Sequence, residues 1–169
     1  MRRIYFLALM PFLAAAAVTA QTISGYNKQE VMIPMRDGVK LYTVIFTPKE
    51  KTAPLPILLT RTPYSASVGD SFDMLKSRSM ADLAREGYIF VYQDIRGKYK
   101  SEGKMQIHQP IVHQEEKGAV DESTDTYDAI DWLIANVPNN NGRAGIMGIS
   151  YPGWLALVGA VDAHPALKA

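Results

Sequence analysis

Apolar and polar residues alternate over Glu30–Pro34 and again over Val39–Thr47, on either side of Arg36-Asp37-Gly38. Period-two alternation around a glycine-containing turn predicts a β-hairpin. Pro54-Leu55-Pro56 then leads into Ile57-Leu58-Leu59-Thr60, a short apolar run suited to a buried strand. From Phe72 to Glu86 the spacing becomes helical, with Phe72, Leu75, Met80, Leu83 and Ala84 on one face and Gly87 as a C-terminal stop. Tyr88–Tyr92 predicts a second buried strand, and the polar stretch Arg96–Lys117 a surface loop. Asp121–Val137 gives the clearest helix: Tyr127, Ile130, Leu133, Ile134 and Val137 form a stripe, acids crowd the first turn, and Pro138 closes it. After the turn Asn139–Gly142, a strand over Arg143–Met147 and a helix over Trp154–Val161 complete the pattern. A hairpin followed by alternating strands and helices predicts a mixed, mostly parallel sheet with helices on both faces, an α/β fold.

The first twenty residues have a different character. Arg2 and Arg3 precede an apolar stretch over Ile4–Val18, and Val18-Thr19-Ala20 offers small residues for cleavage, so residues 1–20 are expected to be a signal peptide. As a helix that stretch would span roughly 22 Å at ~1.5 Å per residue, short of a ~30 Å hydrocarbon core. The expectation is an exported, periplasmic or secreted protein, with residues 21–169 forming the N-terminal part of one domain and no stable membrane anchor. Lys and Arg number 18 against 17 acids, or 16 against 17 without the leader. That balance carries no basic surplus for nucleic acid. The absence of cysteine excludes disulfides, zinc thiolates and a cysteine nucleophile within the chain. No cofactor is called for.

Candidate chemistry concentrates in Gly148-Ile149-Ser150-Tyr151-Pro152-Gly153, between the fifth strand and the last helix. A turn this tight from strand to helix strains the backbone of its central residue and lifts a serine hydroxyl above the sheet edge. Gly148 and Gly153 leave room for the backbone to pass close by, and Pro152 suits a first helical turn, where an N–H would lack a partner. The common form of such an elbow has glycine two residues after the serine. Here that position is Pro152 and glycine comes one later, so the motif by itself also fits a strand-turn-helix with an incidental serine.

Four ordered motifs carry a resemblance: Arg36-Asp37-Gly38-Val39-Lys40-Leu41, Arg61-Thr62-Pro63-Tyr64, Asp94-Ile95-Arg96-Gly97 and Gly148–Gly153. The chain resembles the cocaine-esterase and X-Pro dipeptidyl-peptidase type (CocE/NonD) of α/β-hydrolase. Through Met32–Gly38 and His164–Lys168 it is similar above all to the α-amino-acid ester hydrolases. The similarity runs from Lys28 to Lys168. It implies Ser150 as nucleophile, the backbone N–H of Tyr151 as one oxyanion donor and the phenol hydroxyl of Tyr64 as the other. Without the resemblance, Tyr64 reads as a surface or packing tyrosine in a turn.

Other polar residues are expected to be structural. Asp94 and Arg96 are expected to pair and shape their loop. Asp121, Glu122, Asp125 and Asp128 are expected to form a helix N-terminus with a solvated face, and Trp132 and Trp154 to pack. His108 and His113 match no familiar ligand spacing, so no metal site is expected. Asp162 and His164 would lie roughly 18–21 Å beyond Ser150 along a helix at ~1.5 Å per residue, out of reach as triad partners. In this fold the order is serine, acid, histidine, so both partners are expected beyond Ala169, the chain being truncated after the elbow helix. The edge Ala144-Gly145-Ile146-Met147 would then be unpaired, and the isolated chain inactive and prone to aggregate. Three functions fit: a serine hydrolase forming an acyl-enzyme from a small ester, amide or short peptide, an α-amino-acid ester among them; an X-Pro dipeptidyl peptidase; or a binding protein that keeps the fold without catalysis.

Overall fold

The computed structural model describes residues 25–50, 52–67, 78–113, 118 and 120–169. The leader, and Phe72 and Leu75 of the first predicted helix, lie outside these residues. In chain order the elements are β1 (Tyr26–Pro34), β2 (Lys40–Pro48), β3 (Leu55–Thr62), α1 (Arg78–Glu86), β4 (Ile89–Asp94), α2 (Glu122–Asn136), β5 (Asn140–Ile146) and α3 (Tyr151–Gly159). The sheet order is β1-β2-β4-β3-β5. β1 and β2 form the predicted hairpin, with Ile33 opposite Leu41, and Gly38 closes the turn at φ +85°, where a side chain would be strained. β2 runs antiparallel to β4, while β3 lies parallel to both β4 and β5. The parallel part follows from the helical crossovers between these strands.

Alternation decides what each face meets. Leu41, Ile45, Ile57, Leu59, Ile89 and Val91 turn to one side and pack with Ala129, Ile130 and Leu133 of α2 and with Val137 just after it. Tyr42, Val44, Phe46, Phe90 and Tyr92 turn to the other, against Met80, Leu83 and Ala84 of α1. α3 shares the α2 side. Gly159 comes so close to Thr126 that a Cβ there would lie 2.8 Å from its methyl. Trp132 is partly buried against the α2-side core, as its packing role required.

Local signals set the boundaries. Asp121 caps α2: its carboxylate accepts from Thr124 N at 2.8 Å, and its own N–H donates to Thr124 Oγ1 at 2.8 Å. Gly87, at φ +97°, ends α1 and donates to Leu83 O. β5 begins at Asn140, inside the predicted turn, because Leu55 N already bonds Asn139 O. α3 begins three residues earlier than its apolar pattern suggested, directly at Tyr151, since Pro152 is compatible with a first turn.

Three expectations need correction. The acids at the start of α2 are not solvated. Asp121, Glu122 and Asp125 are almost wholly buried, and arginines from three distant segments reach the acids of this helix start. Arg61 of β3 reaches Glu122 and Asp125, Arg96 reaches Asp125, and Arg36 of the hairpin turn grips Asp128. Asp94 and Arg96 do not pair. Arg96 spans Asp37 and Asp125, and Asp94 instead accepts backbone N–H bonds from Ala66 and Lys100. Finally, the outer edge of β5 is covered in part. Residues 166–169 run parallel along it, with Ala144 N donating to Ala166 O, Lys168 N to Ala144 O, and Ile146 N to Ala169 O, each at 2.8 Å.

Candidate active site

Ser150 lies between the end of β5 and the first residue of α3, with φ +62° and ψ −126°. That region belongs to the first central position of a mirror-image turn, which glycine normally occupies. The serine is exposed, as is Ile149 before it. Its carbonyl accepts the first helical bond, from Trp154 N at 3.0 Å, while its side chain makes no capping bond and stays available. The flanking glycines have a steric reason. A Cβ on Gly148 would lie 2.1 Å from the Pro152 carbonyl oxygen, and one on Gly153 would lie 3.2 Å from Gly148 O. The elbow closes only because these backbones touch. Tyr151 is the first residue of α3, so its N–H has no intrahelical acceptor and points from the positive end of the helix.

Tyr64 comes to the same sheet edge by topology. β3 and β5 are parallel neighbours, with Leu59 opposite Ile146, so the loops after them leave together. Tyr64 lies two residues past β3 and is 60% exposed. Its loop is tightly tied. Tyr64 N donates to Thr62 Oγ1 at 2.9 Å, Ser65 is forced to φ +81°, and Ala66 N donates to Asp94 Oδ1 at 2.5 Å. Burial raises the Tyr151 phenol pKa, opposed by the His108 backbone.

The three histidines have other engagements. His108, at φ +49°, stacks on the Tyr151 ring with centroids 5.3 Å apart and meets Trp154 edge-on at 4.8 Å. His113 Nδ1 lies 2.9 Å from Asp162 Oδ2, and His164 Nε2 lies 3.4 Å from Asp131 Oδ1. Among the described residues no group of three or more His, Asp or Glu side chains is placed to hold a metal ion.

Beneath this edge runs a buried polar row that the sequence reading missed. Thr43, Gln93 and Arg61 are cross-strand neighbours on β2, β4 and β3. Gln93 Nε2 donates to Thr43 Oγ1 at 3.1 Å, and Arg61 Nε donates to Gln93 Oε1 at 2.9 Å. Arg61 Nη1 then donates to Glu122 O and Thr126 Oγ1, each at 2.8 Å, and lies 2.9 Å from Glu122 Oε2. Burial raises the Glu122 pKa, with Arg61 pulling it down. The available signal was a charged residue inside the apolar strand Leu-Leu-Thr-Arg-Thr. Such a residue needs a buried partner of opposite charge.

Residues 37–169 match the family model described as X-Pro dipeptidyl-peptidase (S15 family). Cocaine esterase from Rhodococcus sp. (strain MB1 Bresler) is 34% identical over 143 residues, which cover 82% of this chain and 22% of that protein. Among solved structures, an aminopeptidase from the marine sediment archaeon Thaumarchaeota archaeon aligns with a TM-score of 0.75 at 46% identity. That match covers 86% of this chain and 25% of the other. An α-amino acid ester hydrolase aligns with a TM-score of 0.74 at 40% identity, covering 95% and 28%. The fold is that of the α/β-hydrolases, and the chain spans about a quarter of the length of these relatives.

Proposed function

The chain belongs to the X-Pro dipeptidyl-peptidase (S15) family, and from that premise we propose that Ser150 is the nucleophile of a serine hydrolase that cleaves ester or amide bonds through an acyl-enzyme. One observation carries the reading. Ser150 holds a glycine-favoured backbone conformation while its hydroxyl stays exposed at the carboxyl edge of parallel strands. Its Oγ attacks the substrate carbonyl, the carbonyl oxygen becomes an oxyanion, and collapse expels the leaving alcohol or amine. The Tyr151 N–H and the Tyr64 hydroxyl serve as oxyanion donors. The proton acceptor, in this reading, is a histidine outside residues 1–169, oriented by an acid also outside them. The three histidines within the chain are committed to Tyr151 and Trp154, to Asp162 and to Asp131.

Two names among the relatives favour one substrate class. An aminopeptidase and an α-amino acid ester hydrolase both take an acyl group that carries a free α-amine. We therefore extend the proposal to aminoacyl esters and amides, with release of X-Pro dipeptides by cleavage after proline as the second reading that the family description supports. Export through residues 1–20 remains part of the proposal, and N-terminal sequencing of the mature protein would test it, with Gln21 as the expected start. A fluorophosphonate probe applied to the full-length protein should label Ser150, and Ser150→Ala should abolish labelling. Labelling that survives in Ser150→Ala would overturn the nucleophile. An aminoacyl p-nitroanilide should be cleaved faster than its N-acetylated form, and equal rates would remove the α-amine from the substrate class.

A further inference from the structure

The loop that carries Tyr64 is fixed from outside its own segment. Asp94, the last residue of β4, is fully buried, and its Oδ1 accepts from Ala66 N at 2.5 Å. Oδ2 accepts from Lys100 N at 3.4 Å, and the Asp94 carbonyl accepts from the Ser101 hydroxyl at 2.7 Å. One carboxylate thus ties the loop after β3 to the loop after β4. Ala66 is itself buried, and between it and the Thr62 hydroxyl the chain turns through Ser65 in a positive-φ conformation. Tyr64 is held between these two anchors, on a backbone that would relax if either were released. Tyr64 is 60% exposed, so packing around its ring holds it less than the backbone that carries it does. Its aim depends chiefly on the backbone beneath, which these two anchors fix.

We infer that Asp94 is a positioning residue for the oxyanion-binding phenol, acting through the Ala66 amide to fix where the Tyr64 hydroxyl points. The inference rests on the reading of Tyr64 as an oxyanion donor. Asp94 touches no substrate in this arrangement. An acceptor at Oδ1 is what the geometry requires of it, and its negative charge is secondary.

The test compares Asp94→Ala, Asp94→Asn and Tyr64→Phe in the full-length protein, alone and with the Ala and Phe changes combined. The readouts are the rate of fluorophosphonate labelling and the separate kcat and KM for an aminoacyl p-nitroanilide. Loss of one oxyanion donor typically slows turnover by about 10²–10³-fold. Asp94→Ala should reproduce a large share of the Tyr64→Phe loss, in kcat and with little change in KM. Asp94→Asn keeps an acceptor for Ala66 and should restore most of the rate. The double variant should be no slower than Tyr64→Phe alone. If Asp94→Ala does not fold, Asp94→Ser, too short to reach Ala66, takes its place. Wild-type rates in the shortened variant would overturn the inference, as would losses that multiply in the double variant or a loss that asparagine fails to restore. A wild-type rate in Tyr64→Phe itself would instead sink the reading of Tyr64.

Discussion

Removing Arg61 is the most direct perturbation of the buried row beneath the elbow. The side chain is fully buried in β3 and donates to Gln93, to the Glu122 carbonyl and to Thr126, besides its ion pair with Glu122 at 2.9 Å. Arg61→Ala would leave a buried carboxylate without its cation and several acceptors without donors. Breaking such a buried pair from one side costs about 3–5 kcal/mol. In a domain of this size each kcal/mol lowers Tm by roughly 2–4 °C, so thermal unfolding followed by circular dichroism should fall by about 6–20 °C. The penalty should also depend on pH. Burial already holds the folded-state pKa of Glu122 above its unfolded value, and Arg61 is the group that opposes this. Without Arg61 that pKa rises further. An acid whose folded pKa is raised binds more protons when folded, so stability falls as pH climbs from the unfolded pKa through the folded one. Arg61→Ala should therefore lose less at acidic pH than at neutral pH, and Arg61→Ala/Glu122→Gln should recover part of the loss at neutral pH. A Tm within 2 °C of wild type would refute the reasoning, and so would a penalty that is flat with pH and unmoved by Glu122→Gln.

Two further outcomes follow from contacts already described. Gly148→Ala forces a methyl into the Pro152 backbone and should cost about 1–3 kcal/mol together with most Ser150 labelling. Gly153→Ala, with its nearest contact at 3.2 Å, should be milder on both counts, and equal effects would show that the elbow is looser than drawn. Asp121→Ala removes the α2 cap and the acceptor for Val112 N, and should lower stability by about 1–2 kcal/mol in denaturant unfolding. A loss under 0.3 kcal/mol would remove the capping argument.

What was legible in the sequence was whatever short-range rules govern. The hairpin follows from alternation around Asp37-Gly38, and α2 from one apolar stripe with an acidic start and a proline stop. The elbow follows from glycines bracketing a serine. Arg61, by contrast, meets its partners some sixty residues away, so acids that look like an ordinary solvated helix start are in fact one half of a buried ion network. Separation along the chain likewise hides the tie between Asp94 and Ala66 and the stacking of His108 on Tyr151. Residues 166–169 are too few to show a periodicity, so their pairing with β5 appears only once the sheet exists. Tyr64 lies between these cases. The local sequence reads as a turn, and only the parallel placement of β3 beside β5 brings it to the serine's edge.

The backbone of Ser150 has a thermodynamic implication of its own. Conformations of this kind cost a non-glycine residue of order 1–3 kcal/mol, and here no capping bond from the side chain offsets the cost. A glycine at position 150 would therefore be the more stable choice, and substitution in that direction would run downhill in folding free energy. Serine is the residue that stability alone would remove. Its presence there means that the fold carries a standing deficit at one position, set against the packing of the rest of the domain. A search for stabilising variants would favour glycine at that position, at the expense of the hydroxyl.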